Sequence, residues 1–456
     1  MPLARSISTT FATALVLCGC YVSGDGDATG AATTTTTAAT TSATGDGTTT
    51  GSPGCPSPIA GCPCGPGDTC IDGAVCAGGT CVANADTTSP STGTEGPGDT
   101  TTGPVACGNG LAEAGELCLG EPTILMMGAA PSDLALGNFD GDPALDLVTV
   151  NRDDAQLALR LGDGAGGFGV RTAYAAGLAP VAVTLGDFDG DGHTDAVTAG
   201  SGANTVSWLR GASNGAFMAG GDFATGMGPV AAASTDFAGD GRDDLVVLNT
   251  TDNTVGVMLT TEVVFAAMVP YAVGAAPSGL ALADVTDDGD LDLLIANTGA
   301  DSIGLLLGNG LGLFGAAASF PVGDGPRAVA GGDVNGDGLG DAITVETSGS
   351  ITRLLGNGLG SLGAALPFAT AAAPSDLALV DLDVDGDLDL VVVSTGDMTL
   401  RLLTNDGDGT FVEVAQIVTG TTPVAIATRD LDDDGLPDLV CANQGSNTVT
   451  VVVTDA

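Results

Sequence analysis

Seven prolines, Pro131, Pro180, Pro229, Pro277, Pro326, Pro374 and Pro423, recur along the chain at steps of 48 or 49 residues. Seven aspartates, Asp146, Asp195, Asp244, Asp292, Asp341, Asp389 and Asp438, keep the same step. A fixed period of this length marks a chain that repeats one supersecondary unit, which restricts the fold more than composition can. Each unit opens after its proline with a small apolar strand, as at 375–380, followed by an acidic loop and a β-branched run, as at 390–393. A polar turn, often rich in Asn (249–254, 443–448), leads to a third strand such as 303–307; a Gly-rich turn (308–312) then hands over to Phe314 and a fourth strand. Four short strands per unit make one propeller blade, so the expected fold is all-β, a seven-bladed β-propeller of four-stranded blades over 123–456.

The ends of this region predict a closed ring. The last unit stops after its third strand, while a spare strand-like run at 123–127 precedes the first proline and can complete the seventh blade. Closure of that kind leaves no open solenoid end to cap. Phe168, Phe217, Phe314 and Phe411, with Leu362 substituting for the ring in one unit, hold the position after the Gly-rich turn and are expected to pack between blades. Hydrophobic residues make up 44% of the chain but aromatics only 4%, so the core must be built from Ala, Val and Leu.

The acidic loop of the second unit reads Asp187-Phe188-Asp189-Gly190-Asp191-Gly192-His193-Thr194-Asp195. Side-chain oxygens at positions 1, 3, 5 and 9, with the backbone carbonyl of His193 at position 7, can wrap one hard cation, and the glycines permit the sharp turn. Calcium is the expected occupant. Equivalent sets are Asp381, Asp383, Asp385 and Asp389, and Asp430, Asp432, Asp434 and Asp438; Asp333, Asn335, Asp337 and Asp341 come close behind. Three loops are degraded. In the first (Asn138, Asp140, Asp142, Asp146), Asn138 replaces an acid and Pro143 a glycine; in the third (Asp236, Asp240, Asp244), Ala238 removes a ligand; in the fourth (Asp284, Asp288, Asp292), Thr286 stands at the third position. Calcium is expected to be weaker or absent there, which gives up to seven structural ions.

The opposing reading makes these aspartates ordinary solvated turn residues. Against it, so many carboxylates in small clusters would repel one another without a cation among them. The pattern resembles the start of an EF-hand, but position 12 of the second loop is Thr198 rather than Glu, and strands flank it. It is therefore read as a calcium loop within a β-hairpin.

Charge excludes several functions. Acids number 56 against ten basic residues, all of them Arg, for a net charge of −46. Such a surface repels phosphate backbones, so nucleic acid is not an expected partner. Without Lys there is neither a P-loop nor Schiff-base chemistry. His193 is the only histidine, which removes a Ser-His-Asp triad. Trp208, Tyr174 and Tyr271 are the only Trp and Tyr of the repeat region, too few for the sugar-stacking platforms of a glycosidase or a conventional lectin.

The repeats resemble the FG-GAP or VCBS repeat family, also seen in the propeller of integrin α-subunits. The resemblance covers 123–456 and rests on the 187–195 motif, the Leu-Gly-Asn-Gly turns at 307 and 355, and the Asn-Thr-Val turns at 204, 253 and 447. It implies a calcium-binding seven-bladed propeller, usually in extracellular adhesion or recognition, with occasional enzymes carrying it as an accessory part. The expected function is a non-catalytic binding or adhesion module, monomeric, with an unidentified protein or glycan partner met by loops opposite the calcium hairpins (151–155, 201–204, 298–301). The alternatives are a structural spacer of the envelope and, less favoured, an accessory or catalytic domain of a polysaccharide-active enzyme.

Residues 1–19 read as an export signal, with Arg5 in the n-region and an apolar run at 11–17 too short to span a bilayer. Leu17-Cys18-Gly19-Cys20 resembles a bacterial lipobox, with small Gly19 ahead of Cys20, which makes Cys20 the expected lipidation site; the alternative is an ordinary signal peptide. A lipid there would tether the protein to a membrane of the cell envelope, and Tyr21 is compatible with the outer membrane. A Thr/Gly-rich linker (20–53) follows, then a segment (54–82) holding Cys55, Cys62, Cys64, Cys70, Cys76 and Cys81. In an exported chain these cysteines imply disulfides of unresolved pairing rather than a zinc site. A second linker (83–106) precedes a short motif (107–122) with Cys107 and Cys118, which resembles a CGNG-type cysteine motif of secreted bacterial proteins and implies that these two pair. Cys441, within an apolar strand, reads as a buried small hydrophobe.

Overall fold

The computed structural model describes residues 75–77, 80–82, 117, 119–261 and 265–454. The signal segment, Cys20, both linkers, Cys55, Cys62, Cys64, Cys70, Cys107 and Cys118 lie outside the described residues. The chain divides into two compact units, one containing the repeat region and the other Cys18–Thr100. Within that unit two strands, Val75–Ala77 and Thr80–Val82, form an antiparallel hairpin whose register sets Cys76 opposite Cys81.

The repeat region forms seven four-stranded antiparallel sheets in sequence order. Blade 1 contains Pro131–Gly137, Asp146–Asn151, Gln156–Arg160 and Thr172–Ala175. Its inner two strands are buried along most of their length, whereas Thr172–Ala175 is largely exposed. That gradient explains why the inner strands read as continuous small apolar runs rather than alternating ones. The recurrent proline occupies the first residue of each inner strand, where its missing N–H is tolerated.

Seven sheets close into a ring. Blade 7 comprises Pro423–Arg429, Asp438–Asn443, Thr448–Val452 and, from the start of the region, Thr123–Met126. Thr123 pairs with Val451 and Met126 with Thr448, antiparallel. One strand upstream, Leu119 bridges Thr454. The same bridge joins Gly308 to Phe314 and Gly356 to Leu362, so Leu119 is the post-turn packing residue of blade 7, drawn from ahead of Thr123. Phe265 holds that position in blade 3 through its bridge to Thr260, and Leu362 holds it in blade 5.

Each of these residues receives a side chain from the acidic loop of the preceding blade. Phe139 meets Phe217 edge-on at 5.0 Å between centroids, and Phe188 meets Phe265, and Phe237 meets Phe314, both at 5.3 Å. Val285 shares a cluster with Leu362, Val334 with Phe411, Leu382 with Leu119, and Leu431 with Phe168. The second residue of every acidic loop is thus apolar because it is the joint between blades.

At the opposite end of the ring, the turns after the second strands carry a second joint. Asn204, Asn253, Asp301 and Asn447 all take positive φ, and their Oδ1 atoms accept the N–H of Gly228, Ala276, Gly325 and Ala130. Asn suits both tasks, since it tolerates the left-handed region and offers a side-chain acceptor. Two inner-strand carboxylates add further links: Asp133 accepts the N–H of Val183 and Asp376 that of Ile426, at 2.9 and 3.0 Å. Complete burial holds the Asp133 carboxyl well above the usual carboxylate range. Cys441 is fully buried and unoxidised, and burial pushes its thiol far up.

Candidate metal centre

All seven acidic loops connect the first and second strands of their blades, so the topology sets them at one end of the ring beside the Gly-rich turns. In six of the seven loops the chain reaches its sharp reversal by entering the left-handed region twice; the first loop, with Pro143 at the second of these positions, does so only at Gly141. In the second loop Gly190 and Gly192 do so, at φ 73° and 82°. In the sixth, Val384 stands at the first of these positions with φ 57°. A β-branched residue is strained there, and Val384 is 47% exposed, so its side chain gains little in return. Val384→Gly is expected to raise stability by about 1 kcal/mol, read as a higher urea midpoint at unchanged slope.

The ninth-position aspartates are the most deeply placed acids of the loops: Asp146, Asp195, Asp244, Asp292, Asp341, Asp389 and Asp438 are each no more than 1% exposed. Their hydrogen bonds follow one plan. Oδ2 accepts the N–H of the second loop residue, from Phe139, Phe188, Phe237, Val285, Val334, Leu382 and Leu431 at 2.7–3.2 Å. Oδ1 accepts an N–H from the start of the Gly-rich turn, given by Gly162, Gly211, Thr260, Gly308, Gly356, Asn405 and Thr454 at 2.6–2.9 Å. Each closing aspartate therefore ties two hairpins of its blade together. This role was not part of the expected ligand set. Its signal was present in the sequence, as a Gly, Thr or Asn 15 or 16 residues after each Asp.

Burial pushes these carboxyls up, to about 6 in Asp195, Asp292 and Asp341 and to about 7 in Asp389 and Asp438; Asp146 and Asp244 are raised as well. Neighbouring loop carboxylates add to the rise in Asp389 and Asp438, while the backbone donors oppose it. Crowded, desolvated carboxylates of this kind favour a bound cation.

Three loops bring three carboxylate oxygens within 4.8 Å of one another: Asp187, Asp189 and Asp195; Asp381, Asp383 and Asp385; Asp430, Asp432 and Asp438. The burial of Asp383 leaves its Oδ1 without a hydrogen-bond donor, and the same holds for Oδ1 of Asp430. An orphaned buried carboxylate oxygen is what a bound dication would satisfy. The donor sets of these loops, all hard oxygens, fit calcium. Asp434 lies in the third of these loops and Asp191 in the first; both turn Oδ1 to a backbone donor, Leu436 and His193 respectively.

Among the described residues, the other four loops do not assemble three acids so closely. In the first, Asn138 Nδ2 donates to the Asp142 carbonyl, closing the loop on itself. Pro143 explains the substitution. Asp236, Asp284, Asp333, Asp381 and Asp430 each accept the N–H of a glycine at position 6. Proline at that position has no N–H to give. Asp140 and Asp142 accept N–H groups within the same loop. In the third loop Asp240 pairs with Arg242, and in the fourth Asp284 and Asp288 serve backbone donors. In the fifth, Asn335 Nδ2 donates to Asp337 at 3.0 Å, so the amide presents nitrogen to its neighbour.

Two crystal structures of one complex share the fold. The crystal structure of BBS1N in complex with ARL6DN, soaked with mercury, superposes with a TM-score of 0.54 at 12% identity, covering 74% of this chain and 96% of that one. The lead-soaked crystal of the same complex gives 0.53 at 13%, covering 72% and 94%. A putative 6-phosphogluconolactonase from Bacteroides uniformis ATCC 8492 is 16% identical over 73% of this chain and 92% of that one, with a TM-score of 0.48 that carries no weight for the fold. No curated protein matches the sequence. The model of the FG-GAP-like repeat matches 138–198, 187–247, 284–344, 333–392 and 381–441. These matches span more than half of the chain and run from acidic loop to acidic loop, so the protein belongs to the family built from FG-GAP-like repeats.

Proposed function

We propose that this protein is a calcium-stabilised, non-catalytic binding module held at the bacterial cell envelope through a lipid on Cys20. The observation that carries the calcium part is the buried Oδ1 of Asp383, without a donor, inside a group of three carboxylates close enough to share one ion. Asp381, Asp383 and Asp385 would hold calcium in blade 6, with corresponding sets in blades 2 and 7. When bound, the ion supplies positive charge and coordination that fix the hairpin. The closing aspartates position the loop from beneath, through their backbone hydrogen bonds.

A non-catalytic role is supported by chemistry that is missing as much as by what is present. The chain has a single His, and His193 sits within a loop whose neighbours serve the turn. The clustered acids accept backbone N–H groups or lie in the metal sets, which leaves them poorly placed as an acid and base pair. A spacer role is favoured by one observation: Asn204, Asn253, Asp301 and Asn447, on the end opposite the calcium loops, direct their acceptors to the next blade rather than outward.

Elemental analysis after dialysis against about 1 mM calcium is expected to find bound calcium. Asp383→Asn combined with Asp385→Asn is expected to remove one ion per chain. Protein devoid of calcium under those conditions would end the reading. Pull-down from envelope extracts, with and without EGTA, separates a binder from a spacer, since a binder is expected to lose its partner when its blades loosen.

A further inference from the structure

The loop that best matches the repeat motif, in blade 2, already contains a cation of its own. The residue just ahead of the Gly-rich turn is Leu161 in blade 1, Leu259, Leu307 and Leu355 in blades 3 to 5, Thr404 in blade 6 and Val453 in blade 7. In blade 2 it is Arg210. Its guanidinium turns back onto the acidic loop: Nε donates to Asp189 Oδ2 at 2.6 Å, Nη2 pairs with the same oxygen, and Asp191 Oδ2 lies 3.8 Å away. Asp189 Oδ1 accepts the N–H of Asp191, so both oxygens of this expected ligand are engaged. Arg210 also lies over the ring of Trp208, with Cζ 5.5 Å from the centroid, and Trp208 Nε1 donates to Asp195 Oδ2 at 3.0 Å. Two residues of one strand thus bind positions 3 and 9 of the same loop.

Blade 6 provides the contrast. Among the described residues no ion pair reaches Asp381, Asp383 or Asp385, and the charges acting on Asp383 are other carboxylates. Blade 3 goes the other way: Ala238 has removed a ligand, and Arg242 at position 7 pairs with Asp240 at 2.8 Å. The seven loops are therefore not seven copies of one site.

We infer that Arg210 is a tethered counter-cation that competes with calcium for the blade 2 loop, making it a low-affinity site that fills after blade 6. This rests on the calcium reading of the loops. A dication entering the loop must take Asp189 Oδ2, and to do so it must displace a charge-assisted, forked hydrogen bond and lift the guanidinium from the indole. No such displacement is needed at Asp383, whose buried Oδ1 has no hydrogen-bond donor. The blade 2 loop would then respond to changes in free calcium while blade 6 stays filled and holds the ring.

The test uses Trp208, the only tryptophan of the chain. Because its ring carries Arg210 on one side and its Nε1 bonds the closing aspartate, its emission reports on the blade 2 loop, while total bound calcium reports on all loops. In the full-length protein, calcium titration followed by calorimetry is expected to show a tight phase at which Trp208 emission is unchanged. A weaker phase in which emission shifts is expected to follow. Arg210→Gln is expected to move the emission midpoint to about tenfold lower calcium, leaving the tight phase in place. That retained phase also shows that the variant ring is folded. Arg210→Lys, which keeps the charge without the fork, is expected to fall between the two.

Calcium binding with emission midpoints equal in the wild type and Arg210→Gln would overturn the inference while sparing the calcium reading. So would emission that stays constant as every site fills. Absence of any calcium binding would instead remove the reading on which it rests.

Discussion

Asp389→Ala is expected to destabilise the propeller by about 3 kcal/mol or more even in calcium-free buffer, where its loss as a metal ligand is irrelevant. The residue is fully buried, and its two oxygens are the partners of the Leu382 and Asn405 N–H groups, at 2.7 and 2.8 Å. Ionised or neutral, the carboxyl keeps acceptor capacity for both; alanine keeps none. Each orphaned buried donor costs about 1–3 kcal/mol, against a total stability on the order of 5–15 kcal/mol. Asp385→Ala is the matched control. It removes an exposed acid from the tip of the same loop, and in calcium-free buffer it is expected to change stability by about 0.5 kcal/mol or less. Urea unfolding of both variants without calcium decides the matter. Equal midpoints would mean that the closing aspartates are ligands only, and that the two-hairpin tie carries little energy.

The period of the repeat made most of the fold legible. Pro and Asp at fixed steps located every inner strand, and the missing fourth strand of the last unit foretold its replacement by Thr123–Met126. The boundary was less legible. Leu119 falls within the 107–122 cysteine motif, ahead of the expected start of the propeller, yet it fills the post-turn position of blade 7 through its bridge to Thr454. Its role depends on a partner more than 300 residues away, which no local pattern can announce.

The metal loops show the same division. Counting oxygens in the sequence singled out Asp187, Asp381 and Asp430 as the heads of the best loops, and those loops are the three that gather carboxylates closely. Counting could not reveal that Asp195 and its six equivalents serve two hairpins, because the second donor lies across the blade. Nor could it reveal Arg210, which reaches the loop from the third strand. Both facts depend on which strand lies beside which. The Phe of the Asp-Phe-Asp triplet was equally opaque: its N–H belongs to its own closing aspartate, and its ring to the next blade.

The raised carboxyls give the stability of this protein a pH dependence whose sign should reverse with calcium. In the metal-free ring the closing aspartates lie at about 6 to about 7 in blades 2, 4, 5, 6 and 7, against 3.8 for an unperturbed Asp. Between those values the folded protein binds more protons than the unfolded chain, so stability falls as pH rises. The contribution is fully present below about pH 4 and is lost by about pH 7. Calcium binds the ionised form, so its stabilisation grows across the same window as protons leave. Melting temperature is therefore expected to fall from pH 4.5 to pH 7 in calcium-free buffer and to rise over that range in a few millimolar calcium. The net charge of −46 also disfavours the compact state as pH rises, but this long-range repulsion is screened by about 0.5 M NaCl, while the buried carboxyls are screened far less. A metal-free slope that vanishes at high salt would assign the effect to overall charge. One that persists, and inverts with calcium, assigns it to the seven aspartates beneath the loops.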